Sequence, residues 1–243
     1  MHVGGIAVLI AYAAVSGCGG GRGEDSGTGR AYAFVPPVVN STRTYDETIV
    51  DNANNSIAIG YTQTVTAVAT DGTVTEMQQS TMGSSTIVDG TNYAPLTETE
   101  TYAAGSGQET SYTYTDAAGD AILCTYDPRD GGPEFPLRVG QTWTIDYTFA
   151  CGSENPVTYQ QTGTVVDVET VTVPAGTFDA LKLQSTVTWT NLQGTMRTET
   201  VTNWRDVATS HSVKEDLTIA VSGTLPSTGY PISREIVLKS ITP

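Results

Sequence analysis

The sequence predicts an antiparallel all-β protein, and three observations carry that expectation. Threonine supplies about one residue in six, and its β-branched hydroxyl side chain suits a half-wet pleated surface. Apolar and polar residues alternate strictly in several segments, which is the period of a strand with one buried face. Turn residues separate those segments at short intervals, and no helical periodicity is found beyond the amino-terminal apolar run.

Taken in chain order, the first element is the apolar run Val3–Val15. It is shorter than the roughly 20 residues that span a bilayer, and it has the size of a signal-peptide core. It ends in Val15-Ser16-Gly17-Cys18, which resembles the lipobox of bacterial lipoproteins. That resemblance implies cleavage before Cys18, diacylglycerol on its thiol, and an acyl chain such as palmitate on the new amino terminus. Two or three chains make a stable anchor where one is marginal. Gly19 in place of Asp resembles the sorting signal of outer-membrane lipoproteins. The expected location is therefore the cell envelope, at the outer membrane, facing the periplasm or the surface.

Residues 18–43 then read as the lipidated cysteine and a Gly-rich tether, which lets the folded body stand off from the membrane. Pro36-Pro37 marks the entry to a single antiparallel β domain expected over 44–243. Within it, Trp143, Ile145, Tyr147 and Phe149 share one face of a strand, and Thr142, Thr144, Asp146 and Thr148 share the other. Leu181, Leu183, Val187 and Trp189 form a second such face, Leu217, Ile219 and Val221 a third, and Ile232, Ile236 and Leu238 a fourth. Thr- and Val-rich strands are expected at Tyr61–Ala69, Thr73–Thr81, Thr110–Thr115, Ala121–Tyr126 and Val157–Val173. Turns are expected at Asp71-Gly72, Asp89-Gly90, Gly105-Ser106-Gly107 and Asn191–Gly194, with a longer loop at Asp127–Pro133.

Cys124 and Cys151 are left once Cys18 is lipidated, and an even number in an oxidising compartment predicts one disulfide. Either a broad loop joins the two, or they tie non-sequential strands. Neither belongs to a metal set, because no His or further Cys lies near in the sequence.

One segment goes beyond composition. Phe135-Pro136-Leu137-Arg138-Val139-Gly140-Gln141-Thr142-Trp143 is followed by Val173-Pro174-Ala175-Gly176-Thr177-Phe178-Asp179-Ala180, then by Trp204 and by Val213-Lys214. This resembles a "P-L-x-V-G-x-x-W … V-P-A-G-x-F-x-A … W" pattern of uncharacterised bacterial envelope lipoproteins. The resemblance implies a large curved antiparallel sheet or open barrel, and no known activity. In it, Pro174 ends a strand, Gly176 turns, Phe178 plugs into the core, and Trp143 and Trp204 supply large buried surfaces.

The chemistry of the remaining residues is sparse. A net charge of −15 argues against nucleic acid, whose phosphates need Lys and Arg. No Gly-x-Ser-x-Gly elbow is present, and His211 reads as a surface histidine. Asp51–Ser56 lacks the ligand spacing of a calcium loop, and Asp116–Asp120 and Asp127–Asp130 read as turns. Glu98, Glu100 and Glu109 read as a solvated sheet face, with paired carboxylates for glycan hydrolysis the alternative. Tyr93, Tyr102, Tyr112, Tyr114 and Tyr126 read as rim residues, or as a face for sugar or peptide. No catalytic residue, metal or cofactor is expected. The expected work is non-catalytic binding of an apolar ligand or an envelope protein, against an envelope glycan hydrolase or a surface carbohydrate- or protein-binding module.

Overall fold

The computed structural model describes residues 29–81, 86–88, 91–93, 97–115, 119–190, 195–222 and 230–243. The signal segment, Cys18, Asp89-Gly90, Asp116 and Asn191–Gly194 lie outside the described residues, as does the side chain of Tyr93.

The chain is all-β and antiparallel. Its strands are β1 (Thr42–Asp51), β2 (Ser56–Val68), β3 (Val74–Thr81), β4 (Thr86–Val88), β5 (Thr91–Tyr93), β6 (Thr97–Tyr102) and β7 (Glu109–Thr115). They continue with β8 (Ala121–Asp127), β9 (Thr142–Cys151), β10 (Val157–Val173), β11 (Gly176–Thr190), β12 (Met196–Asp206), β13 (Ser212–Val221) and β14 (Pro231–Thr242). Twelve of them pair in chain order, with β4 and β5 standing aside as a small hairpin, and β14 returns to β1. The expected curved sheet is thus carried to closure. Closure leaves the barrel without an edge strand open to another chain.

Threonine decides which face looks out. In β9–β14 the register lines up Thr144, Thr162, Thr186, Thr200, Thr218 and Ser233 as one hydroxyl row across six strands. Their sequence neighbours on either side turn into the lumen, so β1 reads alternately half-buried and buried from Thr42 to Asp51. This outer wall is polar, the reverse of the apolar band that a membrane-spanning barrel turns to lipid. No helix among the described residues is long and apolar enough to cross a membrane.

Strand alternation assigns the connections to two ends. The connections 52–55 and 152–156 and the β4–β5 hairpin lie at one rim, and 69–73, 103–108, 128–141, 174–175 and 207–211 lie at the other, the base. At the base, Tyr32 and Leu137 exchange backbone hydrogen bonds of 2.9 and 2.8 Å. The β10–β11 tip folds across the same end, where the Ala175 N–H donates to the Leu238 carbonyl at 3.2 Å. Gly176 takes a positive φ of 143° there, and Val173 and Phe178 pack into a core with Tyr45, Val213 and Leu238. The "V-P-A-G-x-F" segment is therefore a plug for the barrel base.

Cys124 and Cys151 sit directly opposite each other on β8 and β9 and are bonded. The connection 128–141 is broad, which is what allows sequential strands to present them in register.

Candidate functional site

The lumen is lined by two kinds of wall. On β7–β11, Glu109 at the start of β7 apart, the wall is largely aromatic and apolar: Tyr112, Tyr114, Tyr126, Tyr147, Phe149, Tyr159 and Trp189 pack in one cluster with Cys124. Tyr147 and Tyr159 stack at 5.2 Å, and Tyr159 meets Trp189 at 4.9 Å. These tyrosines face inward, so they offer no exposed face for sugar or peptide. Tyr102 and Tyr126 are buried outright, because an inward tyrosine in a closed barrel has only other side chains to meet.

The opposite wall carries the charges. Arg43 on β1 pairs with Glu76 on β3 at 2.5 Å, both fully buried. Burial works against the Arg43 charge, but Glu76, Tyr45 and Tyr102 together outweigh it and hold the guanidinium above its ordinary range. On β13, Glu215 accepts from Arg234 Nη2 at 2.6 Å and from Asn203 Nδ2 at 3.0 Å. On β12, Arg197 and Glu199 lie 3.4 Å apart. Beside them runs an amide–carboxylate ladder: Gln63 Nε2 donates to Gln78 and to Glu100, each at 3.3 Å, and Gln78 Nε2 donates to Glu98 at 3.2 Å. The Tyr102 hydroxyl donates to Glu100 at 2.6 Å.

Glu98, Glu100 and Glu109 therefore do not form a solvated face. Glu100 and Glu109 are buried and Glu98 is half-buried, because the outward positions between them belong to threonine. Burial raises all three carboxyls, Glu98 to about 7. Their charged forms lose hydration that the lumen replaces only in part.

The 128–141 connection dips into the barrel and delivers Asp130, which is buried. Burial pushes its carboxyl up to about 7, against the Gly131 N–H, which favours the charged form. Gly131 lies flat against Gln161, where a Cβ would fall 1.7 Å from Oε1. A lumenal cavity of about 60 Å³ remains here, bounded by Asp130, Trp143, Gln161, Glu199, Arg205 and Glu215 among others. That volume holds a few waters. It is far below the roughly 300–1,000 Å³ of a ligand pocket. Two of its wall carboxylates are committed to partners, Glu215 to Arg234 and Glu199 to Arg197. This cavity solvates buried charge, and it is too small to take a sugar between Glu199 and Glu215.

His211 is fully buried rather than exposed. The β12–β13 connection turns it inward, its Nδ1 lies 2.6 Å from Thr209 Oγ1, and burial, then Arg43, push its pKa down to about 3. Among the described residues no group of His, Cys, Asp and Glu could hold a metal ion. The Asp51 carboxylate is taken up by its own turn, accepting from the Ala53 and Asn55 N–H groups at 2.8 Å each. Trp143 and Trp204 occupy opposite faces. Trp143 lies over Gly163, inside. Trp204 shares a cross-strand row with Lys182 and Lys214, whose ammonium groups lie 5.3 and 5.1 Å from its ring.

No protein-family model matches the chain, and no curated protein matches it in sequence. Solved structures do share its fold. A Bacteroides fragilis protein described as exported, with a YmcC-like fold, is 12% identical with a TM-score of 0.52, over 88% of this chain and 100% of that one. A Parabacteroides distasonis protein described as a lipoprotein is also 12% identical, with a TM-score of 0.50 over the same shares. At that identity the likeness is one of fold.

Proposed function

We propose that this chain is a lipid-anchored protein of the bacterial cell envelope, attached through Cys18 at the outer membrane, which holds an envelope partner on its outer wall without catalysis. The packing of the described inward side chains carries the choice of partner over enclosed ligand. Aromatic side chains pack one wall, paired charges the other, and the cavity between them at Asp130, Trp143 and Arg205 is about 60 Å³. A carrier of apolar ligand needs a dry space several times larger. The lipobox supports the anchor, and the Cys124–Cys151 disulfide fits an oxidising compartment. The lipoprotein description of a protein sharing the fold points the same way. The hydroxyl row from Thr144 to Ser233 is the surface that a partner would read.

The test uses the full chain in a Gram-negative host. Wild type is expected in the outer-membrane fraction with incorporated palmitate, and Cys18→Ala in the soluble envelope fraction. A photo-crosslinking residue at outward Thr200 is expected to give one discrete protein adduct, and one at lumenal Val187 none. Adducts with lipid from Val187, with none from Thr200, would restore the carrier in place of this reading.

A further inference from the structure

The segment Ala31–Val39, Ala-Tyr-Ala-Phe-Val-Pro-Pro-Val-Val, has nine residues without a charge. It crosses the barrel base and is fixed there at separated points. Tyr32 pairs with Leu137, the Val35 N–H donates to Ser210 Oγ at 3.1 Å, and the Asn40 N–H donates to the Val65 carbonyl at 2.8 Å. Phe34 meets Phe135 edge to face at 5.3 Å. One side of the strap is thereby buried, including Tyr32 and Pro37. The other side is not: Val38 is 50% and Val39 42% exposed, with Ala31, Ala33 and Pro36 also exposed. Ile241 adds 36% exposure on β14, paired with Arg43 beside the strap's exit. Leu123 and Met196 are exposed singly on other parts of the barrel, which is ordinary for a protein surface, whereas a continuous apolar strip is not.

What covers the strip follows from where the chain continues. Gly29, whose carbonyl accepts from Arg138 Nη1 at 2.8 Å, leaves the body at this same end. Residues 19–28 separate it from Cys18. A chain of that length spans at most about 40 Å when fully extended. A lipid on Cys18 keeps the base within that distance of the bilayer, so a weak apolar contact acts at high effective concentration.

We propose that the barrel base is a membrane-docking face. The 31–39 strap and Ile241 rest in the bilayer interface, with exposed Arg30 and Arg138 at headgroup level, and the opposite rim is turned away from the lipid. This inference rests on lipid attachment at Cys18. It replaces a body standing off on its tether with one seated base-down.

Spin labels test the seating on the lipidated full chain in phosphatidylcholine vesicles. One is placed on Val39→Cys and one on Ser153→Cys at the opposite rim, the other cysteines being lipidated or in the disulfide. The label at 39 is expected to be severalfold more accessible to dissolved oxygen, relative to an aqueous nickel complex, than the label at 153. Adding Val38→Glu is expected to abolish that difference while the protein still sediments with the vesicles. Sedimentation with equal aqueous access at both sites overturns the docking and leaves the anchor intact. Failure to sediment removes the anchor, and the docking with it.

Discussion

The wall formed by β7–β11 and the wall formed by β12–β14, β1–β3 and β6 enclose one lumen with opposite chemistry. On the first, Tyr, Phe, Trp and Val fill space by shape. On the second, Arg43, Glu76, Glu98, Glu100, Glu199, Arg205, Glu215 and Arg234 fill it by pairing and hydrogen bonding. Both walls turn threonine outward. A barrel interior need not be apolar where its polar groups are paired, hydrogen-bonded or held protonated by burial. The difference also predicts that the walls respond to different injuries, the charged one to unpairing and the apolar one to volume.

The largest effect is expected at the Arg43–Glu76 pair. Arg43→Met leaves a buried carboxylate without its cation and should cost about 3–5 kcal/mol, while Arg43→Met with Glu76→Leu should recover most of that loss. Chemical denaturation of the singles and the double checks this. Equal losses in single and double variants would show that the charged wall, like its neighbour, depends on packing. Next comes the staple on the apolar side. Replacing Cys124 and Cys151 with Ala opens a loop spanning 27 residues of sequence separation, a loss of about 3–4 kcal/mol in the chain-entropy model, read from the denaturation midpoint under non-reducing conditions. A third test is volumetric. A Cβ at Gly163 would fall 2.1 Å from the Trp143 ring, so Gly163→Ala should cost about 1–3 kcal/mol.

The smallest effect is the dependence on pH. Asp130 and Glu98, raised to about 7 by burial, bind protons in the folded state that the unfolded chain has already released. Their contribution to stability is full below about pH 4 and falls as pH rises to about 7. His211, held down to about 3, acts in the opposite sense and loses stability as pH falls from about 6.5 to 3. Between pH 6 and 8 the carboxyls dominate, so the melting temperature should fall over that interval. Asp130→Asn should flatten the fall, and an unchanged slope would remove Asp130 from the charged network.

The same division explains what was legible in the sequence. β9, β10 and β11 were readable because apolar side chains alternate with threonine. β1, β6 and β12 were not, because their inward residues include Arg43, Glu47, Glu98, Glu100, Arg197, Glu199 and Arg205, which by hydropathy look like solvent-facing positions. The missed signal was the alternation itself. Thr97-Glu98-Thr99-Glu100-Thr101 and Thr198-Glu199-Thr200 keep the strand period with threonine marking the outside. The turns at Asp71-Gly72 and Gly105–Gly107 were readable because they need positive φ. The position of Asp130 and the burial of His211 were not, since both depend on connections that turn back into the lumen. The cysteine pairing was readable from compartment and count, whereas its strand register required the broad 128–141 connection.

On the function proposed above, the barrel encloses no ligand and the protein acts through its outer wall. Native mass spectrometry of the lipidated full chain, purified from its own envelope in mild detergent, tests this most directly. The mass expected is that of the polypeptide with its covalent acyl groups and no retained small molecule. A stoichiometric apolar mass that persists after the detergent is stripped, and that is lost on Gly163→Ala, would contradict that function.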